Sequence, residues 1–145
     1  TLQPGTSQTG NIGSTTMPWQ GGCFVNNPTV LSDRRLKSLR AVAAGGGAPT
    51  DRELDAWERV SPKLWAFKAD EKGLLHAGYI AQEVVAAWKA EGLDVSAYAL
   101  LVRGPGRHGR LALNYAECAV FEAAYQRREM ARLSARVAAL EARAA

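Results

Sequence analysis

Charge begins abruptly at one point in this chain. Residues 1–31 hold no Asp, Glu, Lys or Arg, and all 18 basic and 14 acidic residues fall from Asp33 onward. The uncharged part is rich in Gly, Thr, Asn and Gln, with short apolar pieces at Cys23-Phe24-Val25 and Thr29-Val30-Leu31. Such a segment cannot bury enough apolar surface to fold alone. Two states stay open to it: strands paired with identical neighbours, or a flexible linker. The chain starts at Thr1 rather than Met, which suggests a piece of a longer precursor.

Beyond Ser32 the pattern predicts a mixed α/β unit. Gly45-Gly46-Gly47 is a break, and Thr50-Asp51-Arg52-Glu53 is a capping box opening a short helix through Val60. Pro62 follows it. Residues 64–67 and 74–81 are strand-like around a turn at 70–73, and 82–90 is helical up to Gly92. Residues 98–102 and 111–115 are strand-like about a Gly/Pro loop. From Asn114, with Glu117 three residues on, a long helix runs over 114–145. The expected class is α+β: a small β-hairpin/helix domain carrying a long C-terminal helix.

That helix carries an apolar stripe. Met130, Leu133, Val137 and Leu140 alternate in steps of three and four, as in the core of a coiled coil. Ala116, Ala119 and Ala123 continue the phase upstream, and Gln126 interrupts it. Packing on the helix's own domain and association between copies both fit the spacing.

Several chemistries find little support. Cys23 and Cys118 are far apart, with neither metal-ligand spacing nor a disulfide framework, so both are expected to be reduced structural thiols. No apolar run approaches the ~20 residues of a membrane-spanning helix. The net charge of +4 could suggest nucleic acid, but Arg127 to Arg143 alternate with Glu129 and Glu141, as on a solvated helix face. Gly104 to Gly109 fits G-x-G-x-x-G. A dinucleotide site there needs a helix opening at the loop, and a strand-like segment follows instead. With His76 and His108 as the only histidines, a metal site or a Ser-His-Asp triad is poorly supported, and no cofactor or metal is expected.

A serine without a histidine needs another base, and lysine is the known substitute. Ser32-Asp33-Arg34-Arg35-Leu36-Lys37 offers a Ser and a Lys five residues apart. That spacing is awkward. It places the side chains about 140° apart on an α-helix and on opposite faces of a strand. A bend, or a lysine from a neighbouring copy, is required to join them.

These segments resemble, in order along the chain, the C-terminal intramolecular chaperone of phage endosialidases, tailspikes and tail fibres. Ser32 to Lys37 resembles its S-D-x-x-x-K start, and Gly78-Tyr79-Ile80-Ala81-Gln82-Glu83-Val84 its G-x-I-A-Q-E-V core. Tyr98-Ala99-Leu100-Leu101 and Leu113-Asn114-Tyr115-Ala116-Glu117 resemble the closing hairpin and helix start. The resemblance covers residues 32 to about 140. It departs at Leu113-Asn114-Tyr115, where an Arg often precedes the Tyr, and in a long Ala/Gly insert near 41–48.

The resemblance implies a homotrimer that helps an upstream β-rich fibre assemble and then frees itself by autoproteolysis. Residues 1–31 are then the end of the fibre and 32–145 the chaperone domain. Ser32 is implied as nucleophile, Lys37 as general base, and the bond between Leu31 and Ser32 as the scissile one. Asp33, His76, Gln82 and Glu83 are possible supporting residues, and Met130, Leu133, Val137 and Leu140 the trimer core. A lysine accepts a proton only as the neutral amine. Burial, or positive neighbours such as Arg34 and Arg35, favours that form. The implied partners are the chain itself and the fibre of its own precursor, with no membrane and no nucleic acid. Assembly is expected in the host bacterial cytoplasm, leaving the fibre in the virion tail and the chaperone released. The alternative is a trimerisation module without catalysis.

Overall fold

The computed structural model describes residues 32–38, 47–69, 71–105 and 109–144, so Leu31, His108 and the expected β-rich end at 1–31 lie outside the described residues. A three-residue 3-10 turn at Arg34–Leu36 comes first. Helix α1 (Asp51–Glu58), strands β1 (Lys63–Trp65) and β2 (His76–Gly78) and helix α2 (Ala81–Ala90) follow. A 3-10 turn at Val95–Ala97, strands β3 (Leu101–Arg103) and β4 (Leu111–Leu113) and helix α3 (Tyr115–Ala144) complete the unit. The strands form two separate antiparallel hairpins, β1 with β2 and β3 with β4. Among the described residues this is a small mixed unit with a long C-terminal helix, as expected.

Local chemistry sets the boundaries. Thr50 Oγ1 accepts from the Glu53 N–H, and the Glu53 carboxylate accepts from the Thr50 N–H, so both halves of the capping box form. Helix α1 ends at Glu58, short of Val60, whose N–H bonds back to the Trp57 carbonyl. Gly92, at φ 67°, follows α2 in a conformation that disfavours other residues. The segment 74–81 is less strand-like than its composition suggests. Leu74 and Leu75 stand exposed before β2, and Ala81 already opens α2. Likewise Tyr98 ends a 3-10 turn before β3 begins. The element that follows the Gly/Pro segment is β4, which pairs antiparallel with β3, and not the helix a dinucleotide site needs. At the start of α3, Asn114 Oδ1 accepts from the Ala116 N–H. The Asn114 N–H bonds to the Leu100 carbonyl, so the expected reciprocal bond from Glu117 is replaced.

One aromatic cluster fixes the three helices. Trp57 of α1 meets Trp88 of α2 edge to face at 6.1 Å and stacks on Phe121 of α3 at 5.8 Å. Val84, Ala87, Leu100 and Cys118 close the core around them. Trp57 Nε1 donates to Glu122 at 2.8 Å, which gives the buried indole its partner. Glu53 is itself buried and accepts from Tyr98 Oη at 2.5 Å.

Helix α3 divides its faces. Cys118, Phe121, Tyr125 and Arg128 recur at three and four and are turned toward the domain. Ala116, Ala119, Ala123 and Gln126 lie two positions away, roughly 200° around the axis, and all are exposed. They run on into Met130, Leu133, Val137 and Leu140, which are 67, 58, 51 and 61% exposed. Every residue from Ala131 to Ala144 is exposed, so the outer part of this ~45 Å helix packs on nothing in its own chain among the described residues. Its charged residues leave no helix among the described residues apolar enough to cross a membrane.

Candidate active site

A bend overcomes the five-residue spacing between Ser32 and Lys37. Asp33 enters extended, at φ −67° and ψ 128°, and Lys37 leaves extended, at φ −121° and ψ 133°. Between them the 3-10 turn folds the chain back, with the Lys37 N–H donating to the Arg34 carbonyl at 3.2 Å. Lys37 Nζ thereby lies 2.7 Å from Ser32 Oγ within a single chain. Five fully extended residues would span roughly 16 Å, far beyond that contact.

Each end of the turn is tied. Asp33 Oδ1 accepts from the Arg35 backbone N–H at 2.9 Å, and the Arg35 guanidinium grips the same carboxylate through Nε at 3.1 Å and Nη2 at 2.6 Å. Arg35, by side chain and then by backbone, holds the Asp33 carboxyl below its ordinary value. At the exit, Arg34 Nη1 donates to the Lys37 carbonyl at 3.0 Å. Both Ser32 and Lys37 are exposed in the single chain.

The other residues implied as supporting lie elsewhere. His76 stacks on Trp65 at 4.8 Å and meets Phe67 at 5.3 Å, an aromatic role on the first hairpin. Glu83 pairs with Lys63 at 3.4 Å. Gln82 lines an apolar groove with Trp65, Tyr79 and Leu113. Among the described residues, none of the three has a hydrogen bond or ion pair to Ser32 or Lys37. Asp33 alone is part of the turn. Nor do the described residues gather three His, Cys, Asp or Glu side chains in a way that could hold a metal ion.

The model of the family described as chaperone of endosialidase, which is also named as a peptidase family, matches residues 32–93. The match opens on Ser32 itself. Over residues 32–93 this chain is similar to the chaperone-of-endosialidase family. A tail spike protein of an Escherichia phage is 39% identical over 83 residues, covering 55% of this chain and 10% of that protein. A capsule-specific depolymerase of Klebsiella phage KP32 is 33% identical over 135 residues, covering 89% of this chain and 14% of that protein. The carboxy-terminal domain of the bacteriophage T5 L-shaped tail fibre, solved with its intramolecular chaperone domain, superposes with a TM-score of 0.74 at 18% identity. That superposition covers 95% of this chain and 39% of the other. The chain spans between 10% and 25% of the length of the curated phage relatives it matches.

One structural role in this chain escaped reading from sequence. A Cβ on Gly78 would collide with Tyr115 Oη, so the glycine of the G-x-I-A-Q-E-V segment makes room for the phenol. Tyr115 Oη accepts from the Tyr79 N–H at 3.2 Å. The pair locks the start of α3 to the end of β2 across 36 residues of chain.

Proposed function

We propose that this chain is a self-cleaving intramolecular chaperone of a phage tail-fibre or tailspike precursor, cutting itself between Leu31 and Ser32. The observation that carries the reading is the 2.7 Å separation of Lys37 Nζ from Ser32 Oγ, in a segment where the family match begins. The break in charge falls at the same place.

In the proposed step, the neutral Lys37 amine takes the Ser32 hydroxyl proton as Oγ attacks the Leu31 carbonyl carbon. The new C–O bond forms, the C–N bond breaks, and the departing Ser32 nitrogen takes up a proton. The resulting ester is then hydrolysed by water, leaving a carboxylate on Leu31 and a free amino group on Ser32. A positioned nucleophile and base are the two parts this acyl shift requires.

Assembly gates the step. Lys37 stands in water in the single chain, so the desolvation that favours a neutral amine comes from neighbouring copies. The unpartnered stripe from Ala116 to Leu140 supports copies meeting along α3, with each domain packed on the outward face, and the family resemblance implies that they are three. A trimeric head concentrates and aligns the three fibre ends, whose interchain pairing is otherwise slow. Cutting then removes the part that folds reversibly and leaves the fibre held by its unfolding barrier.

Intact-mass measurement on Ser32→Ala and Lys37→Ala precursors tests the chemistry: both are expected to stay whole. Continued cutting by either variant removes that residue from the mechanism. The exposed stripe alone also favours a trimerisation module without catalysis. Under that second reading the wild type associates yet never yields fragments.

A further inference from the structure

We propose that Asp33 is a positioning residue for cleavage, its carboxylate closing the 3-10 turn that returns the Lys37 amine to the Ser32 hydroxyl. The inference rests on the proposed self-cleavage and assigns a part in it that neither nucleophile nor base supplies.

Chain geometry alone keeps the two groups apart. Nothing intrinsic to a Ser and a Lys five apart makes them meet, because neither a helix nor a strand puts them on one face. The turn that joins them is only three residues long, and a single 3-10 turn has little cooperative stability of its own. Its first N–H groups lack partners unless a side chain at the cap provides one. Asp33 is that cap: its extended backbone and its Oδ1 contact with the Arg35 N–H are those of a helix N-cap.

The carboxylate also stands next to the pair in sequence, where it could instead bind the Lys37 ammonium. Such an ion pair would hold the amine charged and draw it from the hydroxyl. Among the described residues, the contacts of Asp33 come from Arg35, through one backbone and two side-chain nitrogens. Lys37 has no carboxylate partner among those residues, and its amine rests on Ser32 Oγ. Arg35 thus occupies the acid that would otherwise compete for the base.

Two substitutions separate positioning from charge. Asparagine caps a turn about as well as aspartate, whereas alanine cannot. In the full-length trimeric precursor, Asp33→Ala should slow cleavage roughly tenfold to a hundredfold, the scale of an ångström-level misplacement of reacting groups. Asp33→Asn should cut within about threefold of wild type because its amide oxygen accepts the same N–H. The mass of the assembly and its melting temperature should stay unchanged in both, since the turn lies outside the core. Wild-type rates for Asp33→Ala, or equal slowing by both variants, would overturn the inference.

A second measurement needs no cutting. In a Ser32→Ala background, the Arg35 amide followed by NMR should move to a solvent-exposed shift on adding Asp33→Ala, and stay put on adding Asp33→Asn. An Arg35 amide indifferent to Asp33→Ala would also overturn it. Cutting by the Ser32→Ala control, or no cutting by the wild type, counts against the self-cleavage reading and leaves the NMR arm to decide the turn.

Discussion

Tyr115 occupies the space that any side chain on Gly78 would need, and its hydroxyl caps the neighbouring Tyr79 N–H. The contact ties the first hairpin to the root of α3. Gly78→Ala should therefore destabilise the domain by about 1–3 kcal/mol, the usual cost of overpacking. Tyr115→Phe keeps the ring and loses the bond from the Tyr79 N–H together with a longer one, at 3.5 Å, to the Tyr79 carbonyl, and should cost about 1 kcal/mol. Denaturant midpoints of the two variants check the order. A harmless Gly78→Ala would show that the ring is free to move.

Arg128 is the polar counterpart of that lock, joining α3 to α1. Its side chain is 10% exposed and reaches Asp55 at 2.6 Å, Glu129 at 3.2 Å and the Asp51 carbonyl at 3.2 Å. Burial alone would lower its value, but the Asp55 and Glu129 carboxylates outweigh it and hold the guanidinium more firmly charged than usual. Arg128→Met keeps the apolar stem and abandons the carboxylates, so stability should fall by roughly 1–3 kcal/mol. Arg136→Met, on the exposed outer helix, should stay within about 0.5 kcal/mol. Urea midpoints at unchanged slope are the readout.

The stripe makes a different prediction, because its residues are exposed in the single chain. Leu133→Asp and Val137→Asp should leave the aromatic core intact and abolish association. Sedimentation should then report one chain instead of three. Far-ultraviolet helicity should fall as well, since the unsupported segment from Ala131 to Ala144 is too short to be a stable helix in water. The near-ultraviolet signal of Trp57 and Trp88 should persist.

Acid acts on the turn through Asp33. Its folded value is depressed, so its contribution is present above the usual 3.8 and is lost as pH falls through the lowered value. An NMR titration should show the Arg35 amide steady at neutral pH and shifting only below 3.8. A transition near neutrality would assign the turn to another group.

Much of this arrangement was legible from residue patterns. The Thr50 and Glu53 cap, the stop at Gly92 and the stripe on α3 are local signals, and each appears where its chemistry demands. Composition overextends the strands because Leu74, Leu75 and Tyr98 have strand-like side chains, while backbone bonding at those positions is set by neighbouring elements. Asn114 loses its expected capping partner for a similar reason: Leu100, distant in sequence, takes its N–H. Ser32 and Lys37 are singled out by their likeness to the S-D-x-x-x-K start, not by residue type or spacing. The bend between them, with Asp33 bonded to the Arg35 N–H and the Lys37 N–H to the Arg34 carbonyl, is visible only in three dimensions. His76, implied by the resemblance as a supporting residue, stands among rings in the single chain, with Trp65 and Phe67 as its neighbours on the first hairpin.

The most direct measurement is the mass of wild-type polypeptide held under native conditions at a concentration where it assembles. Two products are expected: residues 1–31 ending in a free carboxylate on Leu31, and residues 32–145 starting with a free amine on Ser32. A stable trimer that retains its full-length mass through prolonged incubation would contradict self-cleavage.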